Sequence, residues 1–188
     1  MVSIKNPVYT YLLYASLLAS FADSLFGPLY VVFVQNIGGG VLVVGNTIAL
    51  YSITTGILII AVGKISDSVS KELLAFFGFG ISALGTVGYI FIETSTQLYL
   101  LQLIFALSTA LLTAPLSALF AKHIEKENSG FLWALQGGGE KILAGLGLLV
   151  GTFVTYRFGF VTVFICITAI QITATLFQAL VYVDGRKS

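Results

Sequence analysis

Six long apolar stretches, separated by short polar joints, constrain the fold more than any other feature of the sequence. A helix needs roughly 20 apolar residues to cross the hydrocarbon core of a bilayer. The joints are short, so consecutive helices are predicted to be antiparallel neighbours in one membrane domain covering residues 1–188. The chain is therefore predicted to be an all-α membrane protein. Its six spans are expected at residues 9–34, 41–62, 73–92, 98–121, 131–155 and 158–183.

The composition favours a bilayer over a soluble fold. Hydrophobic residues make up 57% of the sequence and charged residues only 9%, whereas charged residues form about a quarter of a soluble domain. The net charge is +1, without a basic block or an acidic tail, so nothing indicates nucleic-acid binding. The first apolar stretch continues past Asp23 to Val34, which favours a membrane span over a cleaved signal peptide.

Lysine and arginine are distributed unevenly between the two ends of the predicted bundle. One end has only Arg157, and Lys141 lies within a predicted span. Because cytoplasmic loops carry an excess of basic residues, both termini and residues 63–72 are predicted to be cytoplasmic. The expected location is the plasma membrane of a prokaryote, in contact with membrane lipid. The basic residues of the cytoplasmic end are Lys5, Lys64, Lys71, Lys122, Lys126, Arg186 and Lys187.

A short motif occurs in both halves of the sequence. The segments GPLYVVF, at residues 27–33, and APLSALF, at residues 114–120, share Pro-Leu-x-x-x-Phe, with Pro28 and Pro115 in matching positions. The first and fourth of six spans cross the membrane in opposite directions, so the match fits an inverted three-plus-three repeat. Proline is also frequent in membrane helices without any repeat, and both interpretations stay open.

Asp23 is a candidate for chemistry because it lies within a predicted span. A charge in hydrocarbon costs at least about 2.5 to 3.5 kcal/mol, so such residues usually face a protein interior or a water-filled path. Pro28 is predicted to free the Ser24 carbonyl beside the acid. We expect proton exchange at this carboxyl; the alternative is an acid at the interface or bonded to a hydroxyl. The residues on its helical stripe are Ser16, Ser20, Gly27 and Tyr30.

Glu140 and Lys141 are also ionisable residues within a span. If they began the fifth helix, the apolar remainder would be too short to cross the bilayer, so the helix is predicted to begin near Phe131. Glu140 then lies roughly 14 Å along it, at 1.5 Å per residue. Adjacent helical residues do not face each other, so each needs another partner, and Asp23, of the same or a second subunit, is a candidate for Lys141. They are expected to contact substrate or ion, or else to form a structural ion pair.

Two further groups of residues complete the candidate site. A polar cavity is expected mainly between the first and fourth helices, with help from the second and fifth. Weaker candidates for its wall are Tyr14, Tyr30, Asn46, Gln102 and Gln136. Small residues let helix backbones approach closely. The candidates for close packing or a hinge are Pro28, Pro115, Gly137, Gly145, Gly147 and Gly151.

Nothing in the sequence indicates an enzyme. The single histidine, His123, lies in a joint, and no cluster of cysteine and histidine could hold a catalytic metal. Neither a G-x-S-x-G elbow nor a P-loop occurs. We therefore expect no catalytic residue, no metal site and no cofactor.

The joint GKISDSVSKE, at residues 63–72, resembles the signature loop of the major facilitator superfamily, G-x-x-x-D-R/K-x-G-R-R/K. The residues that match in place are Gly63, Asp67 and Lys71. The residues that depart from the pattern are Ser68, Ser70 and Glu72. Six spans with cytoplasmic termini, an acid in the first helix and a glycine-rich fifth helix resemble the N-terminal half of such a transporter along the whole chain.

The resemblance implies a transporter of small solutes that works by alternating access, with proton coupling expected at Asp23. In the family the loop is a cytoplasmic latch. Gly63 would let the second helix approach the opposite half, and Asp67 would lie at a helix N-terminus near Ser129 and Gly130. A solvated loop is the alternative.

The family's usual members have two halves, whereas this sequence resembles one, so we expect a homodimer of half-transporters. The alternatives are one half of a heterodimeric transporter, a fragment, and a non-transporting scaffold or regulatory subunit with the same fold.

Overall fold

The computed structural model of the chain describes residues 6–185, and all regular structure in them is helical. Lys5, Arg186 and Lys187, which contribute to the predicted charge asymmetry, lie outside the described residues. Within this part of the chain, five helices are long and apolar enough to cross a membrane, or six if a bent pair counts as one span. The all-helical fold predicted from the apolar stretches is therefore confirmed.

Seven α-helices follow one another along residues 6–185, with a 3-10 turn at Lys126–Asn128. The helices are α1 (Pro7–Ser24), α2 (Leu29–Asn36), α3 (Val41–Ser66), α4 (Lys71–Tyr89), α5 (Ser95–His123), α6 (Ser129–Phe158) and α7 (Phe160–Gly185). The first predicted span corresponds to α1 together with α2, and the other five correspond in order to α3 through α7.

Short polar side chains set several helix boundaries. The Asn6 side chain caps α1, and Thr94 and Gln97 form a reciprocal capping box at the start of α5. Ser70 caps α4 by accepting a hydrogen bond from a backbone N–H of its first turn. These bonds satisfy N–H groups that have no partner inside the helix. Between α6 and α7 a single residue, Gly159, adopts a φ of 82°, which glycine tolerates without strain.

The first span is bent rather than continuous. α1 ends at Ser24, α2 begins at Leu29, and the two axes differ by 48°. Pro28 has no amide hydrogen and its ring crowds the preceding turn, which stops an α-helix. The interpretation of one long first helix is corrected accordingly. Pro115, by contrast, lies inside α5, and that helix continues past it.

An aromatic cluster packs against the bend. The ring of Phe26 lies edge to face with those of Tyr89 and Phe164, with centroids 5.0 Å apart in both pairs. Phe33, on α2, lies 5.6 Å from Tyr89 and 5.4 Å from Phe164. Such pairs contribute about 0.5 to 1.5 kcal/mol each beyond the burial of their area. The cluster therefore fixes the bend and the residues on either side of it.

The helices have a defined order of neighbours. α4 and α7 pack against each other, α4 also packs on α5, and α7 packs on α1. α3 lies along α5, while α6 lies along α1 and touches α7 less extensively. Of the long helices, α3 and α6 have the smallest buried share. They form the two margins of the bundle, and their outer faces are exposed.

Candidate functional site

A cavity of about 410 Å³ lies beside the bend of the first span. Its polar lining consists of Asp23, Tyr30, Tyr51, Ser82, Thr86, Tyr89, Gln102, Ser108 and Thr109. Its apolar lining consists of Phe26, Gly27, Ile48, Phe105, Leu112 and Ile167. Asp23, Gly27 and Ile48 are exposed, so the cavity opens on the surface of the chain.

A chain of hydrogen bonds runs through the cavity wall from α3 to α4. The Tyr30 hydroxyl donates to Oγ1 of Thr47 at 2.6 Å, and Thr47 donates to the Val43 carbonyl at 2.7 Å. Nε2 of Gln102 donates to the hydroxyl oxygens of Tyr30, at 3.0 Å, and of Tyr89, at 3.4 Å. Buried polar groups cost free energy unless they are bonded. The network therefore orients the two tyrosines and the glutamine.

Two more bonds hold hydroxyl groups of α5 at the cavity. The hydroxyls of Tyr51, on α3, and Thr109 lie 3.0 Å apart, so α3 and α5 are joined by a side-chain hydrogen bond. Ser108 donates to the Gly78 carbonyl of α4 at 2.8 Å. The cavity wall is thus a bonded arrangement of hydroxyl and amide groups from several helices.

Asp23 is the only charged residue among the described residues that line the cavity. Its Oδ1 accepts a hydrogen bond from Nε2 of Gln171, on α7, at 2.8 Å. Gln171 is 1% exposed, and its amide oxygen is buried without a hydrogen bond in the described part of the chain. The sequence suggested Lys141 as the partner of Asp23; within residues 6–185 the structure pairs it with Gln171 instead.

Glu140 and Lys141 lie outside this cavity. Oε1 of Glu140 accepts a hydrogen bond from Nε2 of Gln136 at 2.7 Å, and the Glu140 carbonyl accepts one from Ser20 at 3.1 Å. Lys141 is exposed, and its side chain forms no hydrogen bond or ion pair with any residue from 6 to 185. The predicted group of Asp23, Glu140 and Lys141 is therefore not brought together at the cavity.

Of the weaker candidates, Tyr30 and Gln102 line the cavity and Tyr14, Asn46 and Gln136 do not. Tyr14 is 50% exposed and its ring packs on that of Phe177, 5.5 Å between centroids. Asn46 is exposed on α3. The cavity wall also differs from the expected one. Residues of α4 and α7, the third and sixth spans, line the cavity, whereas α6, the fifth span, supplies none of the described lining residues.

Two glycines of α6 mark a close approach to α1. A Cβ atom at Gly147 would lie 2.7 Å from the Phe21 carbonyl oxygen, and one at Gly151 would overlap the Leu25 carbonyl. Only glycine fits where backbones approach this closely. Other glycines of α6 face open space, because a Cβ there would meet no described atom within 4 Å. These are Gly130, Gly137, Gly138 and Gly145.

The comparison with protein families agrees with this architecture. The sequence model of the Major Facilitator Superfamily matches residues 12–188. The chain belongs to the major facilitator superfamily. The family inferred from the resemblance is thereby confirmed, and the chain is a multi-pass integral membrane protein of a family of transporters rather than enzymes. None of the curated proteins compared with the chain matches it.

The loop that resembles the superfamily signature is ordered by contacts within the chain. Nζ of Lys71 donates to the Ser66 carbonyl at 2.8 Å, which places a cation at the C-terminus of α3. Glu72 pairs with Lys122 of α5 at 3.8 Å, and the amide of Gln178 donates to the Glu72 carbonyl at 3.3 Å. Lys71, predicted as part of a latch, therefore caps α3, and the loop is joined to both α5 and α7.

In this superfamily member, the Asp67 side chain and the Gly63 Cα make no comparable contacts with the described residues. The carboxylate of Asp67 is exposed and makes no hydrogen bond or ion pair with the residues that the structure describes. A Cβ atom at Gly63 would meet no described atom within 4 Å. The latch roles assigned to these two residues stay predictions.

The sequence did not single out several polar residues of this superfamily member's cavity. The lining residues not predicted are Tyr51, Ser82, Thr86, Tyr89, Ser108 and Thr109, and two further residues, Thr47 and Gln171, form hydrogen bonds to lining residues. Gln171 could have been found, because a long amide inside an apolar stretch needs a partner. Gln178 follows it by two helical turns and is also buried. Among residues 6–185, no group of three His, Cys, Asp or Glu side chains could hold a metal ion.

Proposed function

We propose that the chain moves small solutes across the membrane by alternating access, with the cavity beside Asp23 as the substrate site. The observation that carries the proposal is an open cavity with one charged side chain, oriented hydroxyls and a bent helix in its wall. Substrate sites of transporters lie where interrupted helices meet near the bilayer midplane. The family match supports transport as the general activity.

Asp23 is the proposed proton-coupling residue. An acid within a membrane span is costly when it is charged and without a partner. Here one oxygen is bonded to Gln171, and the side chain is exposed at the open cavity. Asp23 can therefore exchange a proton with the cavity while it stays attached to α7. Protonation would remove the only charge on the described cavity lining.

We further propose that two copies of the chain pair about an axis normal to the membrane. The exposed helices α3 and α6 support this arrangement. Each has glycines where a Cβ atom would meet no described atom within 4 Å, so packing within the described chain does not require glycine there. Glycine in a helix costs about 1 kcal/mol relative to alanine. Lys141, exposed within α6, would also be costly against lipid. A second copy would use the glycines for close approach and shelter the lysine.

Two groups at the end of the bundle that carries residues 63–72 support a latch between these copies: the N-terminus of α6 and the carboxylate of Asp67. Asn128, which precedes α6, makes no side-chain capping bond, and the first turn of α6 has no acid. Asp67 has a carboxylate without a partner among the described residues. In the proposed dimer, Asp67 of one copy lies at the α6 N-terminus of the other. An exposed carboxylate at such a terminus contributes about 0.3 to 1 kcal/mol.

The order of neighbours supports the proposed three-plus-three repeat. Exchanging the first span with the fourth, the second with the fifth and the third with the sixth reproduces the main contacts. α3 on α5 corresponds to α6 on α1, and α4 on α5 corresponds to α7 on α1. Pro28 and Pro115 take matching positions, although only the first ends a helix. By the charge asymmetry, we place the loop at residues 63–72 in the cytoplasm.

Transport in liposomes tests the proposal. Purified protein should carry solute and protons together, and Asp23→Asn should abolish the coupled proton movement. Glu93→Gln is the matched control, because it makes the same change at an exposed loop position far from the cavity lining. Coupled transport that survives in Asp23→Asn would remove the assignment. Failure of every solute to move in any gradient would favour a scaffold or regulatory subunit.

A further inference from the structure

The cavity lining is unbalanced in charge and rich in aromatic rings. Asp23 is its one acid, and no lysine, arginine or histidine is among its described lining residues. Lys141 lies on α6, which contributes no described residue to the lining. An anionic solute would therefore meet an uncompensated negative charge, whereas a cationic solute would neutralise it. Five rings surround the space, from Phe26, Tyr30, Tyr51, Tyr89 and Phe105.

Aromatic rings attract cations through their negative faces, and the attraction is strongest where water is excluded. Tyr89 is 8% exposed and stacks on Phe105 and on Phe164, with centroids 5.4 Å and 5.1 Å apart, so its ring forms a fixed apolar wall and does not offer a free face to a cation. The hydroxyls of Tyr30 and Tyr89 are occupied by the amide of Gln102. The two rings are thus held in place through their hydroxyl groups, which share the Gln102 amide as a hydrogen-bond donor.

The bonding of Asp23 leaves room for a cation. Gln171 donates to Oδ1 alone, and Oδ2 forms no hydrogen bond with any residue of the described range 6–185. A carboxylate has about four lone-pair sites. One oxygen is therefore positioned by α7, and the other is available for a charged group that enters the exposed cavity.

We propose that the substrate is an organic monocation with an aromatic or aliphatic body, bound with its ammonium-like group at Asp23. The body packs on the apolar lining, which includes Leu112 and Ile167. The proposal rests on the proposed function and names the substrate class of the same site. The cation and the proton compete for one carboxylate, so binding of the solute releases the proton.

The competition predicts weaker cation binding in acid. Asp23 is the one carboxyl group of the described cavity lining, and the other titratable groups there are the phenols of Tyr30, Tyr51 and Tyr89. α6, which packs on α1, carries the ionisable residues Glu140, which is bonded to Gln136, and Lys141, Tyr156 and Arg157, and none of them is among the described lining residues. α7 presents the amide of Gln171, which does not titrate. Asp23 is therefore the group whose protonation is expected to displace the cation.

Equilibrium binding to the purified full chain tests the substrate class without any transport step. The probe is benzyltrimethylammonium, compared with its uncharged carbon isostere, neopentylbenzene, and with the anion benzenesulfonate. The cation should bind at about pH 8 and the other two should not, and its affinity should fall progressively as the pH is lowered from about 8 to about 5. Asp23→Asn should weaken cation binding by at least about tenfold, whereas Glu93→Gln should leave it unchanged.

The comparison of ligands on the unaltered chain keeps the test valid even if Asp23→Asn fails to fold. Equal binding of the three ligands, or full cation affinity in a folded Asp23→Asn protein, would overturn the substrate class. The two proposals fail separately. Coupled transport lost in Asp23→Asn, without cation binding in the unaltered chain, removes only the substrate class. Cation binding that depends on Asp23, without movement of any solute in liposomes, removes only the transport proposal.

Discussion

Nε2 of Gln171 lies 2.8 Å from Oδ1 of Asp23, and this bond joins α7 to the last turn of α1 beside the bend. The oxygen of the same amide is buried and has no hydrogen bond in the described residues. A side-chain amide can donate through nitrogen or accept through oxygen. Rotation of the amide would let Gln171 bond either the carboxylate or the carboxylic acid of Asp23. Gln171 is thus a positioning residue for the proposed coupling group.

The first prediction compares Gln171→Leu with Gln178→Leu. Both glutamines are buried on α7, and both have an amide oxygen without a bond in the described chain. Only Gln171 contacts Asp23, while Gln178 donates to the Glu72 carbonyl. Hydrogen bonds to charged groups contribute about 1.5 to 3 kcal/mol, so Gln171→Leu is expected to slow coupled proton uptake by about tenfold or more.

Proton uptake in liposomes, measured with an internal pH dye across a range of external pH, checks this prediction. Gln178→Leu should retain the uptake rate and its pH profile, although it loses a bond and some stability. Equal effects of the two substitutions would mean that Gln171 acts only through the stability of α7.

The second prediction concerns the hydrogen-bond network of Tyr30. Tyr30→Phe removes the donor to Thr47 and the acceptor of Gln102, and leaves a buried amide with only the longer bond to Tyr89. Loss of a partner for a buried polar group costs about 1 to 3 kcal/mol. We expect a lower thermal unfolding temperature in detergent. Tyr14→Phe, at a half-exposed tyrosine outside the cavity, should stay within about 0.5 kcal/mol of the unaltered chain.

The third prediction separates two faces of α6. Gly151→Ala places a Cβ atom against the Leu25 carbonyl, where neither backbone can move without disturbing the α1 and α6 contact. Overpacking of this kind typically costs about 1 to 3 kcal/mol. At Gly145, a Cβ atom would meet no described atom within 4 Å, and alanine is a better helix former by about 1 kcal/mol. Denaturation of the purified variants in detergent should therefore show a lower free energy of unfolding for Gly151→Ala and a higher one for Gly145→Ala.

An equal loss of stability in Gly151→Ala and Gly145→Ala would contradict the packing of α1 on α6. Gly145 also lies on the face that we propose for the second copy. Its effect should therefore be measured at a protein concentration where the species is monomeric, as judged by light scattering.

The apolar stretches were enough to predict the spans, because every crossing helix needs a long uncharged segment. The cost of a charge within a span made Asp23 a candidate, together with Glu140 and Lys141, and the role of each stays a prediction. The partner of Asp23 could not be predicted in the same way, since Gln171 is distant in sequence and comes close only when α7 packs on α1. Tyr89 was not predicted because it is one aromatic residue in an apolar stretch. Its hydroxyl accepts a hydrogen bond from Gln102, and that contact forms only when α4 packs on α5.

The placement of Glu140 shows the opposite limit. Gln136 and Glu140 are four residues apart, a spacing that places them on one face of a helix, and the structure joins them by a hydrogen bond of 2.7 Å. The same pattern did not reveal which neighbour that face meets. α6 packs on α1 through glycines further along the helix, and it contributes no described residue to the cavity lining. The spacing of residues in the sequence indicates which of them share a helical face, but the neighbour of that face is determined by how the helices pack.

The last prediction concerns the latch of the proposed dimer. Cysteines at positions 67 and 129, introduced as Asp67→Cys in one copy and Ser129→Cys in the other, should form a disulfide between copies if their Cα atoms come within about 7 Å. Both copies should carry Cys166→Ala, because Cys166 is the one native thiol. Position 93 lies in the joint at the opposite end of the bundle, so Glu93→Cys with Ser129→Cys should not crosslink. A protein that stays monomeric at every concentration in a native-like bilayer, without any crosslink at 67 and 129, would contradict both the latch and the rebuilt two-half transporter.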